Sequence, residues 1–260
     1  MKITLIISVY KDVDALRAVL RSVEKQTCTD FEVIVSQDAD DACFDALIRE
    51  FQPKFPIKQL QQPDTGFLKN QLLNRTIREA KSERMVFIDG DCVIHPHFLE
   101  QYAKHIQAGR ICMGRRIDLD PVSTAEIKAG KRIYPRFWPM IKQKTKRVEE
   151  VFYLPNLPQF FHSKPKLLGC NMGWMKADLM RLNGFDEDYQ FPGYGEDTDI
   201  EWRAKKAGMV SFSVRYKCIQ FHLDHARPDR EGEVSKSRLL FESRKERADF
   251  RCQNGLEKLG

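Results

Sequence analysis

Short strand-like apolar runs alternate with helical periods through the first third of this chain. Lys2 to Tyr10 is apolar on both faces, which predicts a central buried strand. Asp12 stands where an N-cap would, ahead of Leu16, Val19, Leu20 and Val23 on one helical face, and predicts a helix to about Gln26. Phe31 to Ser36 predicts a second strand, and Phe44, Leu47, Ile48 and Phe51 mark a second helix. Pro53 and Pro56 close it before a short third strand, Ile57 to Gln61. Gly66 opens a helix carrying Leu68, Leu72, Leu73 and Ile77. Met85 to Ile88 predicts a fourth strand, and Phe98, Leu99 and Tyr102 a helix after Pro96.

Such alternation implies an α/β fold, with a mostly parallel central sheet flanked by helices. Ligands of these sheets bind beyond the carboxyl ends of the strands. Ser8-Val9-Tyr10, Asp38, Asp64 and Asp89-Gly90-Asp91 all fall at or just after such ends, so one rim should collect acidic groups from separate loops.

The pattern breaks after residue 115. From 121 to 166 the periodicity is poor, and Lys128 to Arg147 is rich in Lys, Arg, Pro and aromatics. This stretch is expected to be a long mobile insertion over the site or a basic surface element. Trp138 within it is read first as a packed aromatic and second as a contact for lipid or acceptor. Order returns with a helix over Met175 to Leu182 and another over Thr198 to Ala207, ended by Gly208. Met209 to Phe221 reads as a strand or hairpin. Residues 231–260 read as a charged surface helix or frayed tail. The division expected is a domain over 1–230, with halves 1–115 and 167–230 around the insertion, followed by the tail.

Composition narrows the class. Of 260 residues, 42% are hydrophobic and 31% charged, which suits a soluble globular chain. No run approaches a membrane span, and Ile3 to Val9 lacks the flanks of a signal peptide. Seven cysteines without metal-type spacing suggest reduced thiols and a cytoplasmic setting. A net charge of +6 admits an anionic ligand or lipid surface.

Three phrases carry candidate chemistry. Asp89 and Asp91 flank Gly90 directly after a strand, so both carboxylates reach one crevice, where hard oxygens suit Mg²⁺ or Mn²⁺ bridging phosphates. The bland alternative is a polar loop, but Phe87-Ile88 is too apolar for an ordinary surface approach. Glu196-Asp197 lies among Gly193, Tyr194 and Gly195 before a helix. It offers either a helix cap, with Thr198 and Glu201 as a capping box, or a carboxylate base in a loop close to a ligand. Tyr194 is a candidate platform for a sugar ring. His222 and His225 arrive late in the chain and can complete an Asp-based metal site, with His225 favoured slightly and Asp224 a further oxygen donor.

Taken with Asp64-Thr65-Gly66 and Lys69-Asn70, these phrases resemble the family 2 glycosyltransferases of the GT-A fold. Lys69 stands where that family commonly has Arg, keeping the charge but losing the planar fork. Asn183-Gly184-Phe185-Asp186-Glu187 and Gly193 to Ile200 resemble the C-terminal region of galactosyltransferase-type members. The resemblance implies a nucleotide-diphospho-sugar donor (a UDP-sugar is expected) and a divalent cation, Mn²⁺ or Mg²⁺. It implies that Ser8, Val9, Tyr10, Asp38, Asp64, Lys69, Asp89 and Gly90 line the donor. Asp91, His225 and His222 would bind the metal. Asp197 would act as base, and Glu196 would orient a saccharide or lipid-linked acceptor in surface polysaccharide synthesis. The basic insertion and tail would then lie against an anionic membrane. A nucleotidyltransferase of the same fold class would need a Gly- and Lys-rich loop after the first strand, which Tyr10-Lys11-Asp12 does not supply. A non-catalytic binder would have lost the base or the acidic pair. A nucleic-acid partner is not expected, because the basic stretch flanks acidic loops.

Overall fold

The computed structural model describes residues 2–143, 145–158, 166–226 and 230–259. Lys144 and residues 159–165 of the expected insertion lie outside them. The first half runs β1 (Ile3–Val9), α1 (Val13–Val23), β2 (Phe31–Gln37), α2 (Ala42–Phe51), β3 (Ile57–Gln61), α3 (Lys69–Glu79) and β4 (Arg84–Asp89). Next come β5 (Cys92–Ile94), α4 (Phe98–His105), β6 (Arg110–Met113), β7 (Ile117–Asp118), α5 (Pro121–Lys128) and α6 (Phe137–Lys142). The chain continues through β8 (Asn171–Met175), α7 (Lys176–Arg181), α8 (Glu196–Lys206), β9 (Val210–Ser213), β10 (Gln220–His222) and α9 (Glu231–Lys245).

The main sheet has the order β3-β2-β1-β4-β8-β6-β9. Its first four strands are parallel, and β8 inserts antiparallel between β4 and β6. Alternate residues bury on opposite faces, as the two-residue strand period requires. Ile3, Leu5, Ile7, Val33 and Val35 pack with Leu16, Leu20 and Phe44 of α1 and α2. Ile6, Ile34, Met85 and Phe87 pack on the other side with Leu73, Ile77, Leu179 and Ile200 of α3, α7 and α8. Helices on both faces explain why these strands read as continuous apolar runs. The GT-A-like α/β architecture expected from the sequence is therefore present.

Asp12 caps α1 as expected, its Oδ1 accepting the Ala15 N–H at 2.9 Å. Several other elements differ from the sequence expectation. Strands β5 to β8 were not foreseen, being two to five residues long. Met209 to Phe221 is not one strand or a hairpin: β9 joins the main sheet, while β10 lies in a second sheet of order β5-β10-β7. Within the expected insertion, 121–143 carries α5 and α6 joined by a non-helical link over 129–136. Lys128 of α5 pairs with Asp12 at 2.7 Å, fastening it to the start of α1. Trp138 is 76% exposed, not packed. Beyond α9 the chain docks: Leu256 and Cys252 are buried, and the Leu256 N–H donates to the Asn183 carbonyl at 2.9 Å.

Candidate active site

The parallel strands fix the acidic rim. Ser8 of β1 stands in register with Asp89 of β4, and the Gly90 N–H donates to the Ser8 carbonyl at 2.7 Å. A Cβ on Gly90 would lie 2.5 Å from Val9 Cγ1 and 3.1 Å from the Ser8 carbonyl oxygen. Only glycine lets the turn press onto the end of β1 and carry Asp89 and Asp91 onward together.

The small sheet brings the histidines to Asp91. β10 runs antiparallel to β5 with His222 opposite Cys92, and parallel to β7 with His222 opposite Asp118. The Leu223 N–H donates to the Asp91 carbonyl at 2.9 Å, which locks this register. His222 Nε2 then lies 3.4 Å, and His225 Nε2 3.3 Å, from the same Asp91 Oδ2. His222 is buried and His225 is 42% exposed at the mouth. Asp224, the further candidate donor, is exposed and is not part of this group.

One oxygen of Asp91 and one nitrogen of each imidazole lie within 4.8 Å of one another. Contacts of 3.3 and 3.4 Å are long for charge-assisted hydrogen bonds. They are near the spacing that ligands keep around a shared cation at about 2.1 Å. A carboxylate with two imidazoles is a donor set that Mn²⁺ accepts, so the residues fit a divalent cation. Burial works against charge on Asp91, but the two histidines hold its carboxyl well below the usual range.

Behind His222 stands a carboxylate that the sequence reading missed. Asp118 Oδ1 lies 3.5 Å from His222 Nδ1 and 3.1 Å from Arg116 Nε. The contact to His222 is too long to be a hydrogen bond. A carboxylate on the far side of a ligating imidazole is still the partner that orients such a ring, and His222 Nε2 points to Asp91. The signal was the alternation Arg116-Ile117-Asp118, with the buried Ile117 between two charged residues that pair with each other at the start of β7.

The carboxylates Glu196 and Asp197 come from the first turn of α8. Gly195 precedes them at φ 114° with no capping side chain, and a Cβ there would collide with the Tyr189 ring. The expected capping box does not form. Thr198 Oγ1 donates to Asp197 Oδ1 at 3.3 Å, while Glu201 Oε2 accepts the Leu167 N–H at 2.9 Å. Asp197 Oδ2 accepts the Gly169 N–H at 3.2 Å, from the loop before β8. A buried ion pair anchors the helix: Arg203 Nε meets Asp199 Oδ2 at 2.7 Å and its other nitrogens donate to the Leu182 and Gly184 carbonyls.

Lys69 joins the two halves. Its Nζ is 3.0 Å from Asp89 Oδ1 and 3.9 Å from Glu196 Oε1. Burial disfavours its charge, yet Asp89 and Glu196 raise its pKa and keep the ammonium charged. Glu196 is 15% exposed, and its Oε2 has no hydrogen-bond partner among the described residues. Burial pushes its carboxyl up to about 7, with Lys69 opposing and Asp197 adding to the rise. Burial also raises Asp197, opposed by the Gly169 N–H and Lys69.

The remaining candidates sit less directly. Asp38 is buried, its oxygens accepting from Gln62 Nε2 at 2.6 Å and the Leu68 N–H at 3.2 Å. Val9 is buried beneath Gly90, while Tyr10 is 53% exposed on the rim. Asp64 pairs with Lys11 at 2.6 Å and lies 3.5 Å from the Tyr10 hydroxyl. Tyr194 packs edge-on to Phe241 of α9 at 6.1 Å, with the Arg238 guanidinium over its ring at 5.6 Å.

The fold agrees with the comparisons to known proteins. The sequence profile described as Glycosyl transferase family 2 matches residues 4–163, and the chain belongs to this family. It is similar to validoxylamine A glucosyltransferase of Streptomyces hygroscopicus subsp. jinggangensis, 24% identical over 225 residues, covering 80% of this chain and 52% of that protein. It is also similar to chondroitin synthase of Escherichia coli, 23% identical over 252 residues, covering 90% of this chain and 36% of that protein. The chain thus spans about half, or less, of the length of these relatives. Among solved structures, S. aureus TarS 1-349 in complex with UDP aligns at TM-score 0.58 and 18% identity, over 93% of this chain and 64% of that one. The Pyrobaculum calidifontis mannosyltransferase PcManGT, in complex with GDP-Man and Mn²⁺, aligns at TM-score 0.56 and 17% identity, over 88% and 58%. These likenesses establish a GT-A glycosyltransferase fold.

Proposed function

We propose that this family 2 enzyme is a metal-dependent inverting transferase. It moves a hexosyl or N-acetylhexosaminyl group from a nucleotide-diphospho sugar, a UDP-sugar by preference, to a hydroxyl of a saccharide or lipid-linked acceptor. The observation that carries the reading is the juxtaposition across Lys69. The rim carboxylate Asp89 lies on one side, and Glu196 of α8, whose Oε2 has no partner among the described residues, lies on the other, with Asp197 next to it in the chain. The complexes of structural neighbours with UDP and with GDP-Man and Mn²⁺ support a nucleotide-sugar donor and a cation. Synthesis of a surface polysaccharide, with the enzyme in a reducing compartment at the inner face of the cell membrane, is the setting this reading favours. The seven free cysteines accord with it. Among the described residues no helix is long and apolar enough to cross a membrane.

In this reaction the acceptor oxygen attacks the anomeric carbon from the face opposite the diphosphate. The new C–O bond forms as the bond to the diphosphate oxygen breaks, and the acceptor proton passes to Asp197. Asp91, His222 and His225 would hold the cation, which when bound supplies charge neutralisation for the leaving diphosphate. Lys69 keeps a positive charge beside Asp89 at the donor end. Glu196 orients the acceptor hydroxyl.

A second assignment of the base has its own observation. Glu196 has the orphaned Oε2 and a carboxyl raised to about 7, as a base working near neutral pH would. The two assignments separate in the pH profile. If Asp197 is the base, Glu196→Gln keeps a large part of kcat and raises the acceptor KM. If Glu196 is the base, Glu196→Gln abolishes the acid limb near pH 7 together with turnover. Screening UDP- and GDP-sugars for Mn²⁺-dependent binding and hydrolysis tests the whole reading; failure of every nucleotide diphosphate to bind overturns it.

A further inference from the structure

One face beside the site is apolar and cationic at once. Phe137, Trp138 and Ile141 of α6 are 37%, 76% and 44% exposed, and Phe152 and Leu154 are 51% and 46% exposed. Phe137 joins them into one patch, its ring 5.5 Å from Trp138 and 5.8 Å from Phe152. Lys131, Arg136, Lys142, Lys146 and Arg147 are exposed around it, and no Asp or Glu occurs between Glu126 and Glu149. Met140 is buried beneath α6, and Thr145 Oγ1 donates to Asp120 Oδ2 at 3.0 Å, so the element is anchored from below. The same segment touches the cation end of the site. Lys146 bridges in strand fashion to Asp118, its N–H donating to the Asp118 carbonyl at 3.2 Å.

We infer that this face seats the enzyme on an anionic lipid surface, with the active-site rim next to the bilayer. Aromatic and aliphatic side chains ringed by cations are suited to the headgroup boundary, where rings enter the interface and ammonium groups meet phosphates. The charge balance selects this occupant. Lys128 is neutralised by Asp12, and Arg132 pairs with Glu126 at 2.8 Å with Arg136 3.5 Å from the same carboxylate. Lys142 and Lys146 remain exposed beside the aromatic cluster. The sequence reading included the basic tail in such a surface. Its α9 instead packs Phe241 inward and pairs Arg244 with Asp186 at 2.9 Å, so the α6 face is the better seat.

The test is co-sedimentation with vesicles of pure phosphatidylcholine and of phosphatidylcholine with 30% phosphatidylglycerol, without donor or metal. The reading therefore stands or falls separately from the transferase assignment. The protein should pellet with anionic vesicles and leave them as salt is raised. Trp138→Ala combined with Phe137→Ala should cut the partition coefficient roughly tenfold or more, and Lys142→Glu with Lys146→Glu about as much. All of these side chains are exposed, and an unchanged thermal midpoint and circular dichroism spectrum confirm the variants are folded. No binding to anionic vesicles, or equal binding by the variants, overturns the proposal. So does a dimer in solution that Trp138→Ala dissociates, since the face would then belong to a second copy of this chain.

Discussion

The end proposed to hold the cation and the end proposed to receive the acceptor are built in different ways. At the cation end, strand register does the placing. β5, β10 and β7 set Asp91, His222 and Asp118 side by side, so one carboxylate is flanked by imidazoles and the inner imidazole is backed by another carboxylate. The carboxylates there lie beside cationic or imidazole groups, although His222 Nδ1, 3.5 Å from Asp118, makes no hydrogen bond among the described residues. At the other end a helix start buries Glu196, whose Oε2 has no partner among the described residues, and Asp197, which accepts from the Gly169 N–H and Thr198 Oγ1; burial raises both carboxyls. In the proposed assignment the first end would hold the cation, and the buried carboxyls of the second, raised above their ordinary range, would take the proton. Lys69 sits between them and belongs electrostatically to both.

That contrast predicts separable failures. The largest effect should come from Asp91→Ala, which removes the oxygen shared by both histidines. Mn²⁺ binding should vanish in a paramagnetic titration, and turnover should fall by about 10³-fold or more. Asp197→Asn should bind Mn²⁺ and donor normally while kcat falls by roughly 10²- to 10⁴-fold in single-turnover assays. Equal losses of metal affinity in both variants would erase the distinction between the ends. Asp118→Asn should weaken Mn²⁺ by about 10- to 100-fold with the pH profile unmoved, because Asp118 meets His222 and Arg116 but neither Glu196 nor Asp197 of α8's first turn.

A smaller effect tests Lys69. Its ammonium lowers the Glu196 carboxyl against the rise caused by burial, so Lys69→Met should raise that pKa further above about 7. A carboxylate that must be ionised then works only at higher pH, and any acid limb it controls moves alkaline by about one unit or more. Stability carries the same sign. A carboxyl raised from its ordinary value of 4.5 to about 7 binds its proton more tightly in the folded state. Its contribution is present below the lower value and is lost as pH rises through the upper one. Glu196→Gln should remove that decline, leaving the variant more stable than the parent at pH 8 by about 1–3 kcal/mol in denaturant titrations.

The same comparison shows why some of the molecule was legible and some was not. β1 to β4 are buried on both faces, so their apolar runs stand out, and the rim followed from where those runs end. Asp91 and both histidines were found by residue type, since few residue types ligate metals. β5, β7 and β10 are only two or three residues long, too short to show a period, so the register that unites His222 with Asp118 was hidden. The apolar residues of α6 face outward at Phe137 and Trp138, and its helical pattern was therefore lost among lysines and prolines. Glu196-Asp197 was found as a phrase, but its helix begins two residues earlier than expected, at Glu196 rather than Thr198. The reason is that Gly195 at positive φ starts the helix without a side-chain cap.

The most direct test is one titration of Mn²⁺ into the parent protein and into Asp91→Asn, each with and without UDP, followed by electron paramagnetic resonance. The account predicts one Mn²⁺ site in the parent that tightens when UDP is present, and its loss in the variant. Undiminished Mn²⁺ binding by Asp91→Asn, or a parent whose Mn²⁺ affinity ignores UDP, would contradict it.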